Sequence, residues 1–170
     1  MIHDEIAEFA RALTPGTAVA GLDYGDKTIG VAVSDTLRQV ATPLETIRRK
    51  KFTQDAAKLG EILAARGISG LVLGLPRNMD GSEGPRCQST RAFARNLDRA
   101  LGQMPDQTPG QTTGVATGVE ITFWDERLST VAAQRALLEA DASRARRAEV
   151  IDHVAAAYIL QGALDRMRML

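Results

Sequence analysis

The stretch AVAGLDYGDKTIGVAVSD, residues 18–35, decides the fold, because it sets a carboxylate inside what otherwise reads as the middle of a sheet. Residues 17–23 are small and apolar up to Asp23, and Gly25 and Asp26 then mark a tight turn. Beyond the turn, Ile29, Val31 and Val33 alternate against Thr28, Gly30, Ala32 and Ser34. A period of two marks a strand, and a two-residue Gly-X connection predicts a hairpin with a type II′ turn. Both faces of the second strand are small or apolar, the pattern of a sheet covered on both sides. Asp23 is costly to bury alone, so it needs a neighbour that stabilises its charge.

Working outward, ATPLETI (41–47) reads as a third strand, with Pro43 near its start as suits an edge. In TQDAAKLGEILAARG, Ala56, Leu59, Ile62 and Leu63 follow helical spacing and Gly67 ends the helix. SGLVLGLP is a short buried strand halted by Pro76, followed by the polar loop RNMDGSEG and a helix from Pro85 to about Leu101. Residues 102–118 are crowded with Gly, Pro and Thr, which predicts a flexible surface insertion at about 103–118. VEITFW is a further strand ending in DERLST, where Ser129 or Thr130 can cap a helix through Leu138. VIDHVAAAYILQGALDRM forms the last helix. The hairpin implies antiparallel pairing and the later strand-helix alternation implies parallel pairing, so the expectation is an α/β fold with a mixed sheet and helices on both faces.

At 170 residues, 44% hydrophobic and 25% charged, the chain suits one globular domain over 17–170, with residues 1–16 as an N-terminal extension. The apolar run VAAAYIL (154–160) is far short of the roughly 20 residues of a bilayer-spanning helix. MIHDEIAEFARAL at the start is acidic and amphipathic, unlike a secretory signal, so a cytoplasmic protein is expected. Cys87 cannot form an internal disulfide, and with His3 and His153 it offers no zinc ligand set, so it is expected as a small buried residue. Lys plus Arg (21) balance Asp plus Glu (21), so no global positive field attracts nucleic acid. Basic residues do cluster locally, as RRKK (48–51) and SRARR (143–147), although such runs are more often solvated surface.

Four acids fall at element ends: Asp23 closes the first strand, Asp125 and Glu126 follow the fifth, and Asp152 sits in the first turns of the last helix. Taken singly, Asp23 could be a turn residue, Asp125 a partner for Arg127, and Asp152 a carboxylate favoured by a helix N-terminus. Taken together they would repel unless a hard divalent cation with oxygen ligands, Mg²⁺ or Mn²⁺, joined them. Position alone leaves open which of Asp125 and Glu126 faces the metal.

GLDYGDKTIGVAVSD, ATPLETI, LVLGLPRNMDGSEGPR, DERLST and IDHVAAAYIL occur in that order. Motif by motif they resemble the YqgF family of bacterial pre-16S rRNA nucleases, also described as Holliday-junction-resolvase-like, over roughly residues 17–165. The resemblance implies a ribonuclease H-like fold with a five-stranded mixed sheet and a metal-dependent nuclease site. In that site Asp23 is the first-strand acid, Asp125 and Glu126 come from the DER element, and Asp152 is the final-helix acid. Asp23, Glu126 and Asp152 would hold Mg²⁺ or Mn²⁺ for an in-line displacement that leaves 5′-phosphate and 3′-hydroxyl ends. Lys27, Asn78, Arg86, Arg127, Arg144, Arg146 and Arg147 are candidate nucleic-acid contacts, and Ser34 a candidate to tune Asp23. The implied activity is hydrolysis of RNA in 16S rRNA 5′-end maturation during ribosome biogenesis. Its partners would be precursor 16S rRNA and the surrounding ribosomal particle, with the chain acting as monomer or homodimer and no membrane involved. The rivals are a resolvase acting on branched DNA and a non-catalytic nucleic-acid-binding module. Sugar kinases and actin-like ATPases share the Asp-x-Gly hairpin, but they need a duplicated domain, and this chain has one copy of the motif.

Overall fold

The computed structural model describes residues 1–103, 118–128 and 144–170, with the backbone alone over 144–151. In chain order the elements are β1 Ile2–His3, α1 Ile6–Ala12, β2 Ala18–Tyr24, β3 Thr28–Ser34, β4 Ala41–Arg48, α2 Phe52–Ala65, β5 Ile68–Leu75, α3 Pro85–Leu101 and β6 Glu120–Asp125. A 3₁₀ turn at Glu126–Leu128 follows β6, and α4 spans Arg144–Met167. The predicted insertion at about 103–118 and the helix expected through Leu138 fall almost wholly outside the described residues.

The strands form one mixed sheet in the order β1-β6-β5-β2-β3-β4. β2, β3 and β4 pair antiparallel, whereas β5 joins β2, and β6 joins β5, in parallel. Six strands stand where five are expected. The sixth comes from the N-terminal segment, where Ile2 and His3 align with Ile121 and Thr122 of β6 and the Ile121 N–H reaches the Met1 carbonyl at 2.8 Å. A two-residue strand has no periodicity to detect, and only the exposed edge of β6 creates it.

Alternation sorts the apolar residues onto two faces. Leu22, Ile29, Val31, Leu71, Leu73 and Ile121 face α2 and α3, meeting Leu59, Ile62, Leu63, Phe93 and Leu97. Val19, Ala32, Val72 and Trp124 face the other way, against Phe9 of α1, Leu13 just after it, and Ala155, Ala156, Ile159, Leu160 and Leu164 of α4. Gly67, at φ +58°, ends α2 in the left-handed region where a side chain would be strained. Cys87 is fully buried.

The hairpin departs from expectation at its turn. The Gly25 N–H bonds the Thr28 carbonyl at 2.9 Å, which leaves Asp26 and Lys27 at the tip, and none of these residues has positive φ. A type II′ turn is therefore not formed. The end of β4 holds the tip from outside: Arg49 Nη1 donates to the carbonyls of Gly25 at 2.8 Å and Asp26 at 3.0 Å, and the Arg49 N–H donates to the Lys27 carbonyl at 2.9 Å. α4 also starts earlier than expected, so Arg144, Arg146 and Arg147 form its first turns and do not precede it. Asp152 consequently lies about two turns inside the helix. A helix N-terminus is not what favours its charge.

Candidate active site

Asp23 is 6% exposed at the C-terminal end of β2 and lies directly across from Gly30 of β3. Opposed residues in an antiparallel pair project to the same face, so Gly30 reports what Asp23 faces. A Cβ on Gly30 would lie 2.0 Å from the Asp152 carbonyl oxygen and 2.3 Å from its carbon. The missing side chain lets α4 rest on β3 at this point, which brings Asp152 over the strand pair that carries Asp23. Thr28, two residues earlier on β3, donates its hydroxyl to Asp152 Oδ2 at 2.6 Å. On β4, Thr46 Oγ1 lies 3.0 Å from His153 Nδ1.

The third acid arrives from the neighbouring parallel strand. Leu22 aligns with Leu73, so Gly74 is the β5 residue at the level of Asp23. A Cβ on Gly74 would stand 2.6 Å from Glu126 Oε1 and 2.5 Å from Ile159 Cδ1. Glu126 thus occupies room that a glycine leaves open, on the α4 face. Asp23, Glu126 and Asp152 therefore share one face of the sheet, at the C-terminal ends of β2 and β6 and above two glycines.

Asp125 belongs elsewhere. It pairs with Leu75, and alternation puts it on the side of Phe123, the α3 face, opposite Trp124. Both of its carboxylate oxygens are engaged by Arg127, with Nε at 3.0 Å and 3.1 Å and Nη2 at 2.6 Å, and the Arg127 N–H adds a bond at 3.0 Å. The guanidinium, helped by that N–H, holds the Asp125 carboxyl below its ordinary value against the opposing effect of burial. Of Asp125 and Glu126, Glu126 is the acid on the face of Asp23 and Asp152.

As a cation site, the trio offers only hard oxygen donors, which suits Mg²⁺ or Mn²⁺. Among the described residues no group of three or more His, Cys, Asp or Glu is gathered closely enough to hold a metal ion. The donors share a face without meeting at one point, and the Thr28 hydroxyl already holds one Asp152 oxygen.

The other candidates are dispersed around this rim. Lys27 is exposed at the hairpin tip. Asn78 lies in the loop after β5, its Nδ2 bonded to Ser82 Oγ at 2.9 Å, while Asp80 accepts from the Ser82 N–H at 2.9 Å and Gly81 turns at φ +87°. Arg127 Nη1 reaches the Met79 carbonyl at 3.4 Å, which ties that loop to the Asp125 ion pair. Arg86 is exposed in the first turn of α3. Arg144, Arg146 and Arg147 are placed by backbone only, on α4 upstream of Asp152.

Ser34 does not reach Asp23. It lies at the far end of β3, where its hydroxyl accepts from the Val19 N–H at 2.9 Å and donates to the Asp35 carbonyl at 2.8 Å. The hydroxyl that does hydrogen-bond one of these acids is that of Thr28, and the acid is Asp152. Sequence reasoning also passed over the clamp at the base of the 78–84 loop, in which Glu83 accepts from Arg91 at 2.7 Å and 2.8 Å and from Arg77 at 3.0 Å. The Arg91 hydrogen bonds hold the Glu83 carboxyl below its usual value. The signal available is a basic and an acidic residue six apart across the loop, Arg77 and Glu83, with a second base, Arg91, eight residues on in α3.

The family model described as "RuvX: Holliday junction resolvase" matches residues 17–166. A protein of a Ruegeria species named "Putative pre-16S rRNA nuclease" is 68% identical over 168 residues, covering 99% of this chain and 97% of that protein. One of the same name from Ruegeria pomeroyi is 68% identical over 170 residues and covers 100% of both. Among solved structures, T. thermophilus RuvC in complex with Holliday junction substrate superposes with a TM-score of 0.53 at 15% identity, covering 89% of this chain and 96% of that one. At that identity the likeness bears on the fold, which is ribonuclease H-like.

Proposed function

This chain belongs to the RuvX family, and from that premise we propose that it is a divalent-metal-dependent endonuclease that hydrolyses RNA phosphodiesters in the maturation of 16S rRNA 5′ ends. The observation that carries the reading is the shared placement of Asp23, Glu126 and Asp152 on the α4 face, over Gly30 and Gly74. RNA is favoured over branched DNA because relatives 68% identical across nearly their whole length bear the pre-16S rRNA nuclease name. A chain with no net charge also offers no overall positive field to draw in four duplex arms.

Asp23, Glu126 and Asp152 would hold the cation once it drew them together from their separate places on one face, and their oxygen-only chemistry fits Mg²⁺ or Mn²⁺. When bound, the cation supplies Lewis acidity at the scissile phosphodiester. The chain supplies position. Asp23 is fixed by the paired strands on either side, and Asp152 by the close seat of α4 on Gly30 and by the Thr28 hydroxyl. Asp125 and Arg127 act as a pair that anchors the 78–82 loop, leaving Asn78 with Lys27 and Arg86 to contact phosphates around the rim. The ribosomal particle would then direct the enzyme to one strand and one end.

The test is incubation of the purified protein with labelled 16S precursor RNA and with four-way DNA junctions, each under Mg²⁺ and Mn²⁺. Cleavage of the RNA to 5′-phosphate and 3′-hydroxyl ends supports the reading. Paired symmetric cuts in the junction with intact RNA would replace it by junction resolution.

A further inference from the structure

The RRKK run at 48–51 has no role in the reading above, yet strand register divides it sharply. β4 ends with Arg48 directly opposite Thr28, and Thr46 is opposite Gly30. Opposed residues share a face, and both partners identify it: Thr28 reaches Asp152, and Thr46 reaches His153. Arg48 is therefore an exposed arginine on the face of Asp23 and Asp152, at the strand pair that begins the hairpin tip. Its neighbour Arg49 points the other way. The Arg49 guanidinium lies 4.4 Å over the Tyr24 ring, which stacks on Phe93 at 4.3 Å, and it holds the Gly25 and Asp26 carbonyls of the turn.

We infer that Arg48 binds a phosphate of the nucleic-acid strand presented to Asp23, Glu126 and Asp152, while Arg49 is the positioning residue that braces the hairpin carrying Thr28. The inference rests on the nuclease reading and deepens it by naming one side of the substrate track. A strand of phosphates approaching several carboxylates is repelled, and a cation on the same face offsets that repulsion. The chain has no net charge to attract it from afar, so such a cation must be local. A guanidinium suits the task because its planar fork bonds two phosphate oxygens at once.

The experiment measures the affinity of the full chain for labelled single-stranded RNA bearing a 16S precursor end, in Ca²⁺, across a salt series. R48Q is expected to flatten the slope of log affinity against log salt by about 0.7, the value for one single-strand phosphate contact, and so to weaken binding about fivefold near 0.1 M salt. R48K should restore the slope. K58Q removes an equally formal charge from α2 on the opposite face, 4.0 Å from Glu45, and should leave the slope unchanged. R49Q should lower the melting temperature and the cleavage rate together. If wild type cleaves precursor RNA while R48Q keeps the wild-type slope, or K58Q flattens it equally, the Arg48 assignment is wrong and the nuclease reading stands. If wild type cleaves neither RNA nor junction, the nuclease reading fails, and this inference falls with it.

Discussion

Gly30→Ala tests the claim that close seating of α4 on β3 builds the site. The new methyl carbon would lie 2.0 Å from the Asp152 carbonyl oxygen, 2.3 Å from its carbon and 2.8 Å from the His153 nitrogen. All three are helix backbone, so no flexible side chain can swing aside. Ordinary contact begins at 3.4 Å, so α4 must lift by about 1.4 Å where it carries Asp152. Overpacking of this kind costs typically about 1–3 kcal/mol, and a backbone clash belongs at the upper end. For a chain of this size that is a fall in melting temperature of about 6–12 °C. A 1 Å misplacement at a reacting centre can cost about a hundredfold in rate, so cleavage should fall by two orders of magnitude at temperatures where the variant remains folded. Gly21→Ala is the control. Its methyl would meet Leu160 Cβ at 2.6 Å and the Ala156 carbonyl at 2.7 Å, which disturbs the same helix one to two turns beyond Asp152. It should destabilise comparably and lose far less activity. Denaturant melts and single-turnover cleavage at matched folded fraction decide the matter. A Gly30→Ala protein that melts like wild type, or that melts lower but cleaves at the wild-type rate, refutes the reasoning.

Asp23→Asn should leave the fold intact and abolish cleavage, and unchanged cleavage at matched metal concentration would sink the assignment. Asp152→Asn should do the same and, by relieving carboxylate repulsion, melt no lower than wild type without metal; the Asn oxygen can still accept from Thr28, so a marked drop would make the residue structural. Glu126→Gln should cost far more cleavage than Asp125→Asn, with the opposite ranking pointing to Asp125 as the working acid. Because the folded Asp125 carboxyl titrates below its unfolded value, its stabilising pair with Arg127 is present above about pH 4 and is lost as pH falls through the folded value. The stability gap between wild type and Asp125→Asn, read by denaturant melts, should therefore be flat near neutrality and close in acid. Replacing Arg144, Arg146 and Arg147 together should lower the salt slope of RNA binding by about 0.7 for each phosphate that the chain no longer holds, and an unaltered slope would return the cluster to solvated surface.

Much of the fold was legible because its signals are local. Ala56, Leu59, Ile62 and Leu63 mark α2 by spacing alone, Pro85 opens α3, and Pro43 sits in an edge strand that shifts register between Val31 and Ala32. The failures are places where a distant residue decides. Gly25 looks like the pivot of a II′ turn, but Arg49 captures the carbonyls of the tip and the glycine keeps negative φ. β1 has two residues and exists through its pairing with β6. The apolar period that marks α4 begins only near Val150; RARRAE before it carries helix-forming Arg and Ala but no apolar stripe.

The site shows the same division more sharply. That Asp23, the DER element and Asp152 belong together could be read from their order and from their positions at element ends. Which of two adjacent acids faces the others could not, because the alternation of β6 fixes relative sides without saying which of them meets α4. The register gives the side: Gly30 opposite Asp23 reports the α4 face, and Gly74, level with Asp23 on β5, makes room for Glu126 on that face. Asp125, the last strand residue, keeps the α3 side, and only because the chain turns into a 3₁₀ helix after it can Glu126 reach back over Gly74. Ser34 fails as a tuner for a related reason, since four residues of strand separate it from Gly30, about 13 Å at strand rise. Thr28 was hidden because a hydroxyl just after a turn is ordinary, and only the seat of α4 gives it Asp152 as a partner. Within an apolar sheet the acids announce a site, whereas the residues that orient them are set by which strand ends come level.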